Sequence, residues 1–303
     1  METAASIQCP ICAFEQAEGS ETCARCGVVI AKARVGGRPL PGFSAVDVVP
    51  RDAGAWRILA GGLISALIAH AIPFFQFMLS PLVTLLHEFG HAATAWLLGC
   101  PAIPAFDFAY GGGITQHHDF QLPLGVLIGA GWAWLGWTFR RNPRTLAVLG
   151  LCAGAWLVAV SSEWRRELVI ASMGHVGELI LAGVLLSMAL AGAGWRIPEI
   201  ERPLGAFAAF FVQLQTLRFA WRLRHDDAFL AEYVAGKGGA LMNDLEVIAL
   251  DVKIWAGVSM DIREVAGWLM LLALVVPIAA ILLYVFRQRV RDAWHSLLVL
   301  ERS

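Results

Sequence analysis

Apolar residues fall in long blocks along this chain, and polar residues fall between them. From Trp56 to Phe286, extended apolar runs alternate with short charged joints. A run of about 17 or more apolar residues is long enough to cross ~30 Å of hydrocarbon as a helix. The blocks predict spans at 56–79, 82–99, 123–139, 145–161, 167–193, 203–222 and 266–286. The expected fold class is therefore an all-α polytopic membrane protein with six to eight transmembrane helices. Two joints are too long to be simple loops. Residues 100–122 alternate apolar and polar residues around Gly111-Gly112-Gly113, as a β-hairpin does. Residues 223–265 are polar at first and then half-apolar.

Composition supports a bilayer as the main partner. The chain has 303 residues, 58% hydrophobic and only 16% charged, with a mean hydropathy of +0.64. A soluble domain is usually about half apolar and about a quarter charged. The net charge of −1 and the lack of a basic tail give no footing for nucleic acid. Trp132, Trp134, Trp137, Trp164 and Trp268 sit near span ends and fit an interfacial belt. Gly125/Gly129 and Gly150/Gly154 have the spacing that lets neighbouring membrane helices approach closely.

The first 35 residues are a separate unit. Cys9-Pro-Ile-Cys12 and Cys23-Ala-Arg-Cys26 are two CxxC pairs, the second followed by Gly27. Each pair makes a tight knuckle carrying two thiolates, and two knuckles complete a four-cysteine structural zinc site. The competing reading is a pair of disulfides. The unit resembles the zinc ribbons at the ends of many bacterial proteins, which bind or regulate, so a protein partner is expected for it. A thiolate zinc site favours a reducing compartment, which puts this end in the cytosol. The polar start, with its cysteines, does not read as a cleavable signal peptide. Residues 36–55 read as a linker and residues 56–303 as the membrane-embedded domain. If all seven spans cross, residues 100–122 and 223–265 share the ribbon's side. The joint Arg140-Arg141-Asn142-Pro143-Arg144 and the tail Arg287–Arg291 then lie outside, against the positive-inside tendency, and one re-entrant span would relieve that conflict.

The candidate chemistry sits where ionisable groups are most costly. His87, Glu88 and His91 lie mid-span, in LVTLLHEFGHAATAWLLG, and such groups cost several kcal/mol each at bilayer depth, ~3 or more. Four residues apart on a helix, His87 and His91 share a face and can grip one metal ion. Glu88 follows closely enough to act on a water bound to that ion. In this HExxH pattern, zinc lowers the pKa of its water and the carboxylate takes the proton as general base. The alternative is a buried polar cluster joining helices.

His87-Glu88-Phe89-Gly90-His91-Ala92, within an apolar span and followed by Gly99 and a hairpin-like joint, resembles the site-2 protease family of zinc intramembrane metalloproteases. The likeness covers about residues 80–120. It implies cleavage of a membrane-protein substrate in or near its transmembrane segment. His87 and His91 would be ligands, Glu88 the base and residues 103–118 the element that presents the substrate strand. It further implies an integral membrane protein, of the bacterial inner membrane, with a cytosolic ribbon. The family's third ligand comes from an Asp-Gly motif, and this chain contains no Asp-Gly dipeptide.

Three places can supply that ligand. Gly174-His175-Val176-Gly177-Glu178 lies mid-span, Asn243-Asp244 and Glu246 lie in the long joint, and His225-Asp226-Asp227 ends a span beside arginines. Depth favours the first of these, with the choice between His175 and Glu178 open, since one can bind the metal while the other orients it. His70 reads as a helix–helix hydrogen bond, His117 and His118 as hairpin surface, and Cys100 and Cys152 as inert packing residues. The expected activity is a zinc-dependent endopeptidase. Its rivals are a catalytically inactive protease-like scaffold and a zinc enzyme acting on something other than peptides.

Overall fold

The fold comes from a computed structural model that describes residues 6–9, 14–17, 22–23, 53–107, 112–192, 194–236, 242–290 and 293. The chain divides into two units, Met1–Asp52 and Ala53–Ser303. In the first, strands β1 (Ser6–Gln8) and β2 (Glu15–Ala17) pair antiparallel, with Ile7 opposite Gln16. Cys9 and Cys23 are buried there. Cys12 and Cys26 lie outside the described residues, and so does the four-cysteine zinc site as a set.

The second unit is helical. Helices α1 (Ala53–Ala71) and α2 (Pro73–Leu97) come first, then strands β3 (Ala102–Asp107) and β4 (Gly112–His117). Helices α3 (Leu122–Thr138), α4 (Pro143–Val160), α5 (Glu163–Ala191) and α6 (Pro198–His225) follow. Two short helices, α7 (Asp227–Ala235) and α8 (Asp244–Ala256), precede α9 (Ile262–Val285). By length and composition α1, α4, α5 and α9 can each cross a membrane. Apolar side chains such as Phe77 and Leu151, 75% and 76% exposed, face outward. That surface suits lipid and not water. The 25-residue α2 and 28-residue α6 are long enough but more polar, and α3 is apolar with 17 residues.

The first break differs from the expected one. The pattern places it at residues 80–81, but the helix ends at Ala71 and restarts with Pro73 in its first turn, while Pro81 lies inside α2. Proline in a helix interior leaves the carbonyl four residues back without its N–H. Here the Ser80 hydroxyl donates to that carbonyl, Phe77 O, at 3.2 Å. The loss is thus satisfied locally, as the bilayer interior requires.

Helix α5 is the spine of the domain. Its Ala182, Leu186 and Leu190 pack with α1, α6 and the end of α9. Its Leu179 joins a second cluster with Leu223, Leu245, Val265 and Leu269. Its Ile170 joins a third with Ala92, Ala95, Leu98, Cys100 and Ala102. Cys100 is a buried packing residue there, whereas Cys152 is exposed on α4. The His70 ring donates from Nε2 to the Phe211 carbonyl at 3.1 Å and stacks on the Phe211 ring, the helix–helix bond expected of it. Gly150 and Gly154 face open space, so that pair mediates no close approach.

Candidate metal centre

The close helix contact lies at α2 and α5. A Cβ on Gly90 would collide with the Met173 carbonyl, and one on Gly177 would come within 3.1 Å of the Gly90 Cα. A Cβ on Gly174 would strike the imidazoles of His87 and His91. Backbone therefore lies against backbone, and the two histidines are pressed onto α5. Gly174→Ala is expected to displace both rings and lower the metal content of the protein at least ~10-fold, since overpacked sites distort. Gly129→Ala, where Trp156 stands at an ordinary 3.7 Å, should not. Metal analysis of the two purified variants checks this.

Helix α5 also sets the ring orientations. Nδ1 of His91 donates to the Ile170 carbonyl at 2.7 Å, and Nδ1 of His87 donates to Glu178 Oε1 at 2.7 Å. With Nδ1 occupied in this way, an imidazole that is neutral, as a metal ligand must be, presents an unprotonated Nε2. These two Nε2 atoms are 3.0 Å apart, and Asp244 Oδ2 lies 2.8 Å from that of His87 and 3.1 Å from that of His91. Three electron-rich atoms facing one another in a largely buried place repel unless a cation lies among them. Ligands at about 2.0–2.1 Å from a tetrahedral ion stand roughly 3.3 Å apart, close to this triangle. His87, His91 and Asp244 can hold a metal ion.

Asp244 reaches this point because a helix begins there. Asn243 is the residue before α8, and Glu246 Oε2 accepts from its backbone N–H at 2.8 Å, one arm of a capping box. Leu245 and Ala249 then bury themselves in the cluster containing Leu179 of α5. The long joint thus folds back alongside α5 and delivers a carboxylate to His87 and His91.

The motif favoured by depth lies next to the same centre. Glu178, 3% exposed, binds the Nδ1 side of His87 and accepts from the Thr216 hydroxyl at 2.8 Å. The His175 ring sits 4.4 Å from that of His87, and its Nδ1 is 3.6 Å from Glu178 Oε1 with no hydrogen-bond partner. His87, His175 and Glu178 also lie close enough together to hold an ion. The two trios share His87 through its opposite ring nitrogens, and it is the Nε2 side that also meets a nitrogen of His91, at 3.0 Å. His225-Asp226-Asp227 lies elsewhere and is structural. His225 donates to the Trp221 carbonyl, Asp226 accepts from Phe229 N–H at the start of α7, and Asp227 pairs with Arg263.

Glu88 is 6% exposed and lies under the hairpin. The Thr115 hydroxyl of β4 donates to its Oε2 at 2.6 Å, and a Cβ on Gly113 would run into its carboxylate. Two residues on, on the same strand face, His117 Nε2 stands 3.3 Å from Glu167 Oε2 of α5. His118 is exposed, as expected of hairpin surface. Thr115 and His117 thus tie β4 to α2 and α5, contacts that residue spacing did not reveal.

Glu167 raises the pKa of His117 above its ordinary 6.5. The pair's contribution to stability is therefore full below that value and is lost as pH rises through the raised one. Amide hydrogen exchange of β3–β4, corrected for intrinsic rates, should accelerate from mildly acidic to alkaline pH. In His117→Gln this pH dependence should vanish.

The chain matches no family model, no curated protein and no solved structure.

Proposed function

We propose that this protein is a zinc-dependent intramembrane endopeptidase that hydrolyses a peptide bond in or near a substrate's transmembrane segment. One observation carries the reading: one ring nitrogen each of His87 and His91 and one carboxylate oxygen of Asp244 converge on a single point, and the next residue to His87 is a buried glutamate under a strand. Two imidazoles and one carboxylate leave a tetrahedral ion an open position, the donor set of a catalytic zinc site. Asp244 is then the third ligand, and Glu178 is the outer carboxylate that fixes the His87 ring.

A zinc ion held there would polarise the scissile carbonyl and lower the pKa of a bound water. Glu88 takes the proton of the attacking water and passes it to the leaving amine. Thr115 holds the carboxylate of Glu88 in place meanwhile. The β3–β4 hairpin is a two-stranded sheet with open edges. A substrate segment unwound from its helix can pair with such an edge through backbone hydrogen bonds. The resemblance to site-2 proteases supports this role for the hairpin. The N-terminal unit is read as a cytosolic zinc ribbon that engages a protein partner, with the enzyme in a bacterial inner membrane.

Metal counting tests the reading. The purified chain should hold two zinc ions, and replacing Cys9, Cys12, Cys23 and Cys26 by serine should leave one. Chelation of that remaining ion should abolish cleavage of a detergent-solubilised transmembrane peptide, and added zinc should restore it. A serine variant that is folded but free of zinc would end the proposal.

A further inference from the structure

Asp244 opens a 13-residue helix instead of standing on a long span, so something besides a spanning helix has to fix its carboxylate. The first backbone N–H groups of a helix have no acceptor within it, so they must find one elsewhere. Tyr233, in the last turn of α7, meets both residues that flank Asp244. Its carbonyl accepts from Asn243 Nδ2 at 2.6 Å, and its hydroxyl oxygen accepts from the Leu245 N–H at 3.3 Å. The ring is seated edge-on against Phe219 at 5.6 Å, and Phe219 in turn lies 4.9 Å from the ring of His175. A run of packed rings therefore links α7 to the histidine cluster, and a pair of hydrogen bonds links α7 to the start of α8. Besides this clip, the start of α8 is fixed by the capping contacts between Asn243 and Glu246.

We propose that Tyr233 is a positioning residue for the metal centre: by clipping Asn243 and Leu245 it holds the Asp244 carboxylate against the Nε2 atoms of His87 and His91. The inference rests on the assignment of Asp244 as a ligand. It adds α7 to the working parts of the site, although no side chain of α7 touches the three ligand atoms. The six-membered aromatic ring and the backbone carbonyl both survive in Tyr233→Phe, which loses only the hydroxyl that accepts from Leu245.

The test measures zinc affinity of the full chain in detergent, by competition with a chelating indicator. The N-terminal cysteines are common to every variant, so differences report on the membrane site. Tyr233→Phe should bind zinc about 10-fold more weakly than wild type, as expected for a lost outer contact. Its thermal midpoint without metal should be unchanged. In an Asp244→Ala background, titrated with enough zinc to measure the weak binding that His87 and His91 retain, the same substitution should have no further effect, because its influence runs through that carboxylate.

Equal affinity for Tyr233→Phe and wild type would overturn the proposal. So would the same loss in the Asp244→Ala background, which would mark Tyr233 as a general structural residue. Asp244→Ala binding as tightly as wild type would remove the ligand assignment itself, and is read independently of Tyr233. If Tyr233→Phe proves too unstable to measure, Asn243→Ser removes the other half of the clip and keeps a helix-capping residue. The same dependence on Asp244 is then expected of it, and its absence overturns the proposal equally.

Discussion

The Asp244→Ala protein is expected to be isolated with one zinc ion in place of two, its membrane-embedded ion gone. Its carboxylate oxygen stands 2.8 Å and 3.1 Å from the two histidine nitrogens. Without it only two ligands from protein remain, and the open side of the site is filled by solvent. Substituting an outer partner has a smaller effect, about 10–100-fold in affinity. Glu178→Ala should fall in that smaller class, because its carboxylate meets the Nδ1 face of His87 and the Thr216 hydroxyl. His175→Ala should retain the ion, because its Nδ1 makes no hydrogen bond and stands 3.6 Å from Glu178, and its ring packs against His87 and Phe219 outside the three converging atoms. Metal analysis of the three variants ranks them. An Asp244→Ala protein with two zinc ions, beside a Glu178→Ala or His175→Ala protein with one, would transfer the third ligand to α5.

Glu88→Gln should have the opposite signature: two zinc ions and no cleavage. The amide has the volume of the carboxylate, and its oxygen can still accept from Thr115, so the buried site under β4 keeps its packing. What is lost is the base. Removing a positioned general base typically lowers a rate by about 10²–10⁴-fold, which for a slow membrane peptidase places turnover of a transmembrane peptide below detection. Wild-type cleavage by Glu88→Gln would show that some other group takes the proton. Zinc loss in this variant would show that Glu88 binds the ion.

The parts of the site that were legible in the sequence are those set by local spacing. HEFGH needs only a helix to bring His87 and His91 onto one face, and the alternation around Gly112 needs only a hairpin. Glycine spacing was a poorer guide: Gly150 and Gly154 face open space, and the close contact is made by Gly90, Gly174 and Gly177. The ranking of the three ligand candidates rests on depth read from the apolar runs, and that reading does not describe a joint that folds back alongside α5. Asn243-Asp244-Leu245-Glu246 did hold a local clue, since an Asn three residues before a Glu marks a helix start. That this helix lies along α5 depends on Leu245 and Ala249 meeting Leu179, a contact between distant segments. The break expected at residues 80–81 is absent for a local reason: the hydroxyl of Ser80 takes the place of the N–H that Pro81 lacks.

The wide separation of the ligands along the chain has a consequence for biosynthesis. His91 and Asp244 lie 153 residues apart in sequence. At a synthesis rate of about 5–20 residues per second, roughly 8–30 seconds pass between the emergence of the second histidine and that of the aspartate. For that interval the helix carrying Glu88 has emerged with only two of the proposed ligands. Activity would then switch on late, after α8 has docked. On the proposed function, an enzyme assembled in this order would be harmless to its neighbours while it is being made.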